Sequence, residues 1–410
     1  MKQLLAYCLS IILCVSFTGC MENYLDLYPE DKITSASFPE NESDIKLLLN
    51  GVYAQLREKE VYNQGLFGFG ITDGATPNAF NWGTDEVFNK LGAGRLSSSD
   101  GGVVTYRWKR CYEIISRANY LLACMDLVDL SEEAKAKYSG ETHFLRGLAY
   151  SVLAETYGGV PIILTDISTE EARSLKRASL EETWQQALDD YEVAITNLGV
   201  DAPEPGRATK GAALGMKMRA YLYQGKYKEV LSCVEQIDAL KKYGLFHSYE
   251  GLFDPANENN KEVLFDIQYI EGENSQGSYI DQYCGTGTGS WTRGSRYVPT
   301  DDLVAAYETI DGSPVDPENP YENRDPRLGF TAVLPGSYFL GYRFPNYLYP
   351  GGAFNHAGNR LKHLSTRKYR IQDESKLPPS GQSYINDIIL RYADVLLSKA
   401  EDRKSTRLNS

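Results

Sequence analysis

Between residues 43 and 57 the apolar positions Ile45, Leu48, Leu49, Val52, Tyr53 and Leu56 follow i, i+3, i+4, i+7, i+8 and i+11, the one-face spacing of an amphipathic helix. The series Trp108, Cys111, Tyr112, Ile115 and Leu122 predicts a second helix over Tyr106–Met125. Phe144–Tyr157 is apolar on more than one face, as a helix buried between others must be, and it stops at Gly158-Gly159-Val160-Pro161. Ser179-Leu180-Glu181-Glu182 has capping-box spacing ahead of Trp184, Leu188, Tyr191, Ile195 and Leu198. Lys210–Gln224 and Tyr227–Leu240 form a helix pair broken at Gly225, and Asn386–Glu401 makes a last helix around Ile389, Tyr392, Leu396 and Ala400. Strand-like runs are short: Val160–Leu164 and Val263–Ile267. The pattern predicts a mainly α fold.

The connections are unequal. Gly65–Val103 and the stretch from Glu271 to about Pro379 are long, rich in Gly, Pro, Asn and Ser, and aromatic. Loops of that length are functional or disordered, and the aromatic content argues against disorder. After the last helix, Arg403–Ser410 loses all periodicity and reads as a tail foreign to the fold.

The first residues carry one positive charge and then an apolar run too short to span a bilayer, which marks an export signal over residues 1–19. The run closes at Phe17-Thr18-Gly19-Cys20, small residues before a Cys, followed by polar and acidic residues. That arrangement is similar to a bacterial lipobox, in which Cys20 becomes the acylated first residue and several acyl chains hold the protein to the membrane. An ordinary signal peptide with a chance Cys is the other reading. Cys111, Cys124, Cys233 and Cys284 then remain for the folded body, without CxxC spacing, and three of them fall in apolar helical stretches as small buried hydrophobes.

Charge and composition narrow the chemistry. The 410 residues carry a formal charge of −13, so a basic nucleic-acid groove is not expected. Thirty Tyr stand beside 14 Phe and 4 Trp; Tyr combines a flat apolar face with a polar tip, which suits a ligand that is itself polar with apolar faces. With four His and no G-x-S-x-G, H-E-x-x-H or Walker A run, no enzyme, cofactor or metal is indicated, although carboxylate pairs are spatial and cannot be read from a chain.

Tyr221-Leu222-Tyr223-Gln224-Gly225-Lys226-Tyr227, with Val230, Val234 and Ile237 following, is similar to the turn and second helix of a tetratricopeptide unit. Beside it stand the lipobox, Leu47–Tyr53, Trp108 with Arg117–Leu122, Phe144–Tyr150, Tyr157–Ile162, Gly206–Ala213 and Leu390–Glu401. In this order the set resembles the SusD/RagB family of outer-membrane nutrient-binding lipoproteins, from about residue 18 to Glu401. The resemblance implies tetratricopeptide-like helix pairs supporting a ligand-binding face of long loops. It also implies a surface-exposed outer-membrane lipoprotein that lids a SusC-like TonB-dependent transporter and delivers glycans to it. Members continue past the Leu390–Glu401 motif, so the chain reads as a domain over 20–402, helical to about 245 and loop-rich from about 246, ending short of the family's length. A helical scaffold that binds only protein and a helical glycoside-processing enzyme are the alternative functions.

A glycan presents flat C–H faces and a rim of hydroxyls, so its site needs aromatic platforms with hydrogen-bonding side chains alongside. Asn78, Asn81 and Trp82 meet this description in the first long loop; Tyr283, Trp291, Arg293 and Tyr297 meet it in the second. Loop packing is the competing role for each. Gly285-Thr286-Gly287-Thr288-Gly289 follows no strand and opens no helix, so it is not a dinucleotide loop. Of the aromatics in Tyr338–Tyr349, most should pack and one or two face ligand or transporter. Asp254–Glu262 offers oxygen atoms for Ca²⁺ but lacks the EF-hand pattern and reads better as a solvated turn. Phe144–Tyr150 and Tyr392–Ala400 are expected in the core, with Arg146 and Asn119 tying neighbouring backbone.

Overall fold

The computed structural model describes residues 38–57, 73–81, 90–271 apart from 98, 277–280 apart from 279, 297–339, and 342–408 apart from 344–352, 355–359, 362–363, 370, 372, 377 and 379–381. The predicted signal and Cys20 lie outside them.

Helix α1 (Glu42–Ala54) opens on Asn41, whose Oδ1 accepts from the Ser43 and Asp44 amides while Asp44 returns a bond to the Asn41 amide. After strand β1 (Ala79–Asn81) come α2 (Val103–Cys124), α3 (Glu132–Tyr157), the short α4 (Thr169–Ser174) and α5 (Leu180–Asn197). The Ser179–Glu182 capping box at the start of α5 forms as predicted, with both reciprocal bonds. Helix α3 begins twelve residues before its apolar part, because Ser131 caps it and its first turns are half-exposed and leave no apolar stripe to read.

Helices α6 (Lys210–Tyr223) and α7 (Tyr227–Ala239) make the predicted pair, and Gly225 between them takes φ +68°, a conformation that disfavours a side chain. Each helix packs mainly on its neighbours in sequence: α2 on α3, α3 on α5, α5 on α6 and α6 on α7. Successive pairs that bury only against adjacent pairs are the arrangement of a helical repeat. The core they share includes Phe144, Leu145, Leu148, Tyr150 and Tyr191, all fully buried. Cys111, Cys124 and Cys233 are buried free thiols within it, and burial raises the pKa of each; Cys284 lies outside the described residues.

Two of the expected elements differ. Val160–Leu164 is extended but joins no ladder, because side chains of the helices take the place of a partner strand. The Tyr150 hydroxyl accepts from the Ile163 amide at 2.7 Å and donates to its carbonyl at 2.9 Å; Tyr112 donates to the Pro161 carbonyl, and Asn119 to those of Ile163 and Thr165. Asn119 thus ties backbone as expected. Arg146 instead serves side chains, in a fork onto buried Asp190 (Nη2 to Oδ1 2.7 Å) with its Nη1 on Asn119 Oδ1 at 2.8 Å.

The second difference concerns the last predicted helix. Asp387–Arg391 is a strand, here β10, and only from Tyr392 does the chain turn helical, in α10 (Tyr392–Leu408). Strand β10 pairs antiparallel with β2 (Val263–Ile267) through an irregular register, and buried Leu390 lies so close over Gly215 of α6 that a Cβ there would come within 2.2 Å of it. Ile389, Tyr392 and Leu396 fit helical spacing, but a β-branched run beside an apolar partner strand gains more from the ladder. Helix α10 packs on α7 by one face: Val395 and Ser398 are buried and Leu397 is 67% exposed, so Tyr392–Ala400 is core on that face alone. The helix continues through Leu408, past the point where the periodicity ends.

The remaining elements are short. Strand β3 (Tyr297–Pro299) precedes α8 (Asp301–Ala306) and α9 (Pro326–Thr331), and two-residue strands β4 (Ala332–Val333), β5 (Tyr338–Phe339), β6 (Tyr342–Arg343), β7 (Ala353–Phe354), β8 (Arg360–Leu361) and β9 (Ser365–Thr366) pair as β4–β9, β5–β6 and β7–β8. Among the described residues no helix is long and apolar enough to cross a membrane.

Candidate functional site

The two long loops meet. Strand β1, from the first, pairs antiparallel with β3, from the second, so that Ala79 faces Pro299, Phe80 faces Val298 and Asn81 faces Tyr297. The chain entering β1 is shaped by a turn in which Thr76 donates its hydroxyl to the Asp73 carbonyl and receives the Asn78 amide at 3.1 Å. Thr300 then latches the loops beyond the ladder. Its amide donates to the Asn78 carbonyl at 3.1 Å, its hydroxyl donates to the Pro77 carbonyl, and the same oxygen caps α8 by accepting from Leu303. Val298 is fully buried while its partner Phe80 is 43% exposed, so the ladder sits at the edge of packed structure.

Of the predicted contacts, Asn78 is exposed beside the ladder, and Asn81 and Tyr297 are directly paired in it. Trp82 follows Asn81 in sequence; it, Tyr283, Trp291 and Arg293 lie outside the described residues. Tyr338 is 67% exposed and Phe339 buried; the side chains of Tyr342, Phe344, Tyr347 and Tyr349 lie outside the described residues.

Strand β9 packs against β3, and two residues past β9 the Lys368 ammonium lies 4.5 Å from the ring centroid of Phe253 and 5.1 Å from that of Tyr369. Burial pushes its pKa down to about 8, with Arg391 adding to the effect and Asp73 opposing it. Asp387 is pushed up to about 7 by burial, reinforced by Asp266 and Asp73. Glu258 also rises to about 7, from burial, opposed by the bond it accepts from the Asn386 amide and reinforced by Asp266 and Asp254. Glu258 and Asp266 both grip Asn386, the residue before β10, so these carboxylates position the strand.

Polar side chains of Asp254–Glu262 are engaged in hydrogen bonds, some within the segment and some to Phe246, Asn386 and Arg391. Asp254 caps the Pro255 turn, Asn257 bonds Gly251, Asn260 bonds Asn257, and Glu262 accepts from Phe246 and from Arg391 at 2.7 Å. These bonds fit a turn; among the described residues no group of three or more His, Cys, Asp and Glu is placed to hold a metal.

The sequence reasoning missed Thr300 and Lys368. Thr300-Asp301-Asp302 carries a readable N-cap signature, Thr followed by acids, but nothing local says that the same hydroxyl reaches Pro77.

The architecture defines a helical-repeat scaffold with a face of joined loops, and comparison with known proteins gives that class its family. Residues 23–222 match the family model described as "Starch-binding associating with outer membrane", and residues 261–402 match the model of the SusD family. The chain belongs to the SusD/RagB family. It is 26% identical to SusD-like protein P25 of Formosa agariphila over 321 residues, 73% of this chain and 58% of that protein, so it spans little more than half of that relative. A solved SusD-like carbohydrate-binding protein from Bacteroides fragilis is 28% identical, with 88% of this chain and 74% of that one covered and a TM-score of 0.77. A structure solved with xylogluco-oligosaccharide shares the fold at 22% identity, with 86% and 70% covered and a TM-score of 0.68.

Proposed function

We propose that this protein captures polysaccharide or oligosaccharide at the cell surface and hands it to a partner SusC-like TonB-dependent outer-membrane transporter, held at the membrane by lipid on Cys20. The observation that carries glycan capture is the Asn81–Tyr297 pairing, which unites two loops that each contain a Trp and hydrogen-bonding side chains. A sugar needs such a combination from more than one segment, because one ring supplies stacking area and polar groups from another direction read the hydroxyls. The carbohydrate-binding relatives support the same reading. Delivery to a transporter and anchoring rest on the family and on the Phe17–Cys20 motif.

Titrating Trp82→Ala and Trp291→Ala against a polysaccharide panel, alongside melting curves, tests it. Loss of a stacking ring should cost roughly 2 kcal/mol or more, about thirtyfold in affinity, with Asn81→Ala and Arg293→Ala costing less. Full-strength binding by both Trp variants would remove the loops from the site.

A further inference from the structure

On the helical side of the Asp73–Asn81 segment a cleft of about 450 Å³ opens between α3, α5, α6 and β10. Val152, Met216 and Ala220 contribute its apolar lining. Trp184 and Tyr223 stand beside one another in it, ring centroids 6.5 Å apart and planes inclined by 59°; Trp184 is nearly buried while Tyr223 is 53% exposed. Three cations, Arg107, Arg219 and Lys368, face three carboxylates, Asp73, Glu155 and Asp387.

These charges are not all satisfied by one another. Arg219 is engaged, with Asp394 at 2.6 Å and the Ile389 carbonyl at 3.0 Å. Arg107 Nε is buried without a hydrogen-bond partner among the described residues. Such a group costs free energy unless a ligand or water meets it. Lys368 has aromatic faces as its close neighbours.

We propose that this cleft is a second saccharide site, taking an uncharged sugar unit, reached by Asp73 and Thr76 of the first long loop and Lys368 of the second but distinct from the β1–β3 ladder; it rests on the glycan reading above. The balance of charge selects the class. A uronate or sulfate would meet Asp73 and Glu155 with Arg219 already held by Asp394, and a metal ion would meet Arg107 and Lys368. A neutral polyol can donate to Asp73 or Glu155 and accept from Arg107 or Lys368, while a pyranose C–H face lies on the exposed Tyr223 ring. The volume lies within the roughly 300–1,000 Å³ of small-ligand sites, room for a short oligosaccharide.

Hydrogen–deuterium exchange on the full chain, with laminari-oligosaccharide, xylogluco-oligosaccharide and, as a charged comparator, oligogalacturonate, tests this directly. A neutral oligosaccharide should slow exchange in the peptides that carry Glu155 and Tyr223. The double variant Glu155→Gln, Tyr223→Ala, altered at two exposed positions, should raise the concentration needed for that protection at least tenfold and leave protection around β1 and β3 unchanged. If that variant melts early, Glu155→Gln alone, which keeps the Tyr223 ring and removes one hydrogen-bonding charge, should show a smaller shift in the same peptides. Protection confined to β1 and β3 would overturn the cleft and leave the loop site standing. Protection nowhere would overturn both, and preference for oligogalacturonate would overturn the neutral class.

Discussion

Asn81 stands opposite Tyr297 in a three-residue antiparallel ladder, and that pairing makes one surface out of two loops at distant points of the chain. The scaffold beneath is built from neighbours in sequence; the face is built from strangers. What holds the face together is therefore open to separate test.

Thr300→Val removes the hydroxyl that reaches the Pro77 carbonyl and caps α8, and keeps the backbone bond to Asn78. Loss of a cap costs about 0.5–2 kcal/mol. Urea denaturation should show a loss of that size, and glycan titration should show a fall in affinity in protein that is still folded. Unchanged affinity would mean that the latch does not position the loops.

Arg146 and Asp190 are both buried and satisfy each other inside the helical core. Arg146→Ala leaves a buried carboxylate unpaired and should destabilise by about 3–5 kcal/mol. Arg146→Met with Asp190→Leu should recover much of this, because the desolvation of both charges disappears with them. Both variants are read by denaturant midpoint against the parent.

Asp387 gives stability a pH dependence of known sign. Its folded pKa of about 7 exceeds the ordinary 3.8, so the folded state holds the proton more tightly and stability falls as pH rises from about 4 to about 7. Glu258 acts in the same direction over a similar window. Lys368, lowered to about 8 from 10.5, acts only above that window: stability rises as pH climbs from about 8 towards 10.5. Asp387→Asn should therefore melt higher than the parent at pH 7.5 and lose that advantage near pH 4. An equal difference at both pH values would show that the carboxyl's ionisation is not responsible.

Cys20→Ala tests the anchor: the altered protein should leave the membrane fraction or accumulate unprocessed. Mature Cys20→Ala protein that stays wholly with the outer membrane would refute lipidation at that position.

The sequence by itself determined the apolar parts of the long repeat helices, because a helix is written in local spacing: each apolar stripe, the Ser179–Glu182 box and the Gly225 break needs only neighbours within a few residues. Strands need partners, and a partner is a tertiary fact. Val160–Leu164 resembled a strand, yet Tyr112, Asn119 and Tyr150 satisfy its backbone; Asp387–Arg391 resembled the start of a helix, yet β2 was there to pair with it. The aromatic loops were recognisable by composition, but their meeting at Asn81 and Tyr297, the second grip of Thr300, and the cleft beside Tyr223 were decided only when the chain closed. Those contacts join residues far apart in sequence, whose shared geometry no local pattern encodes.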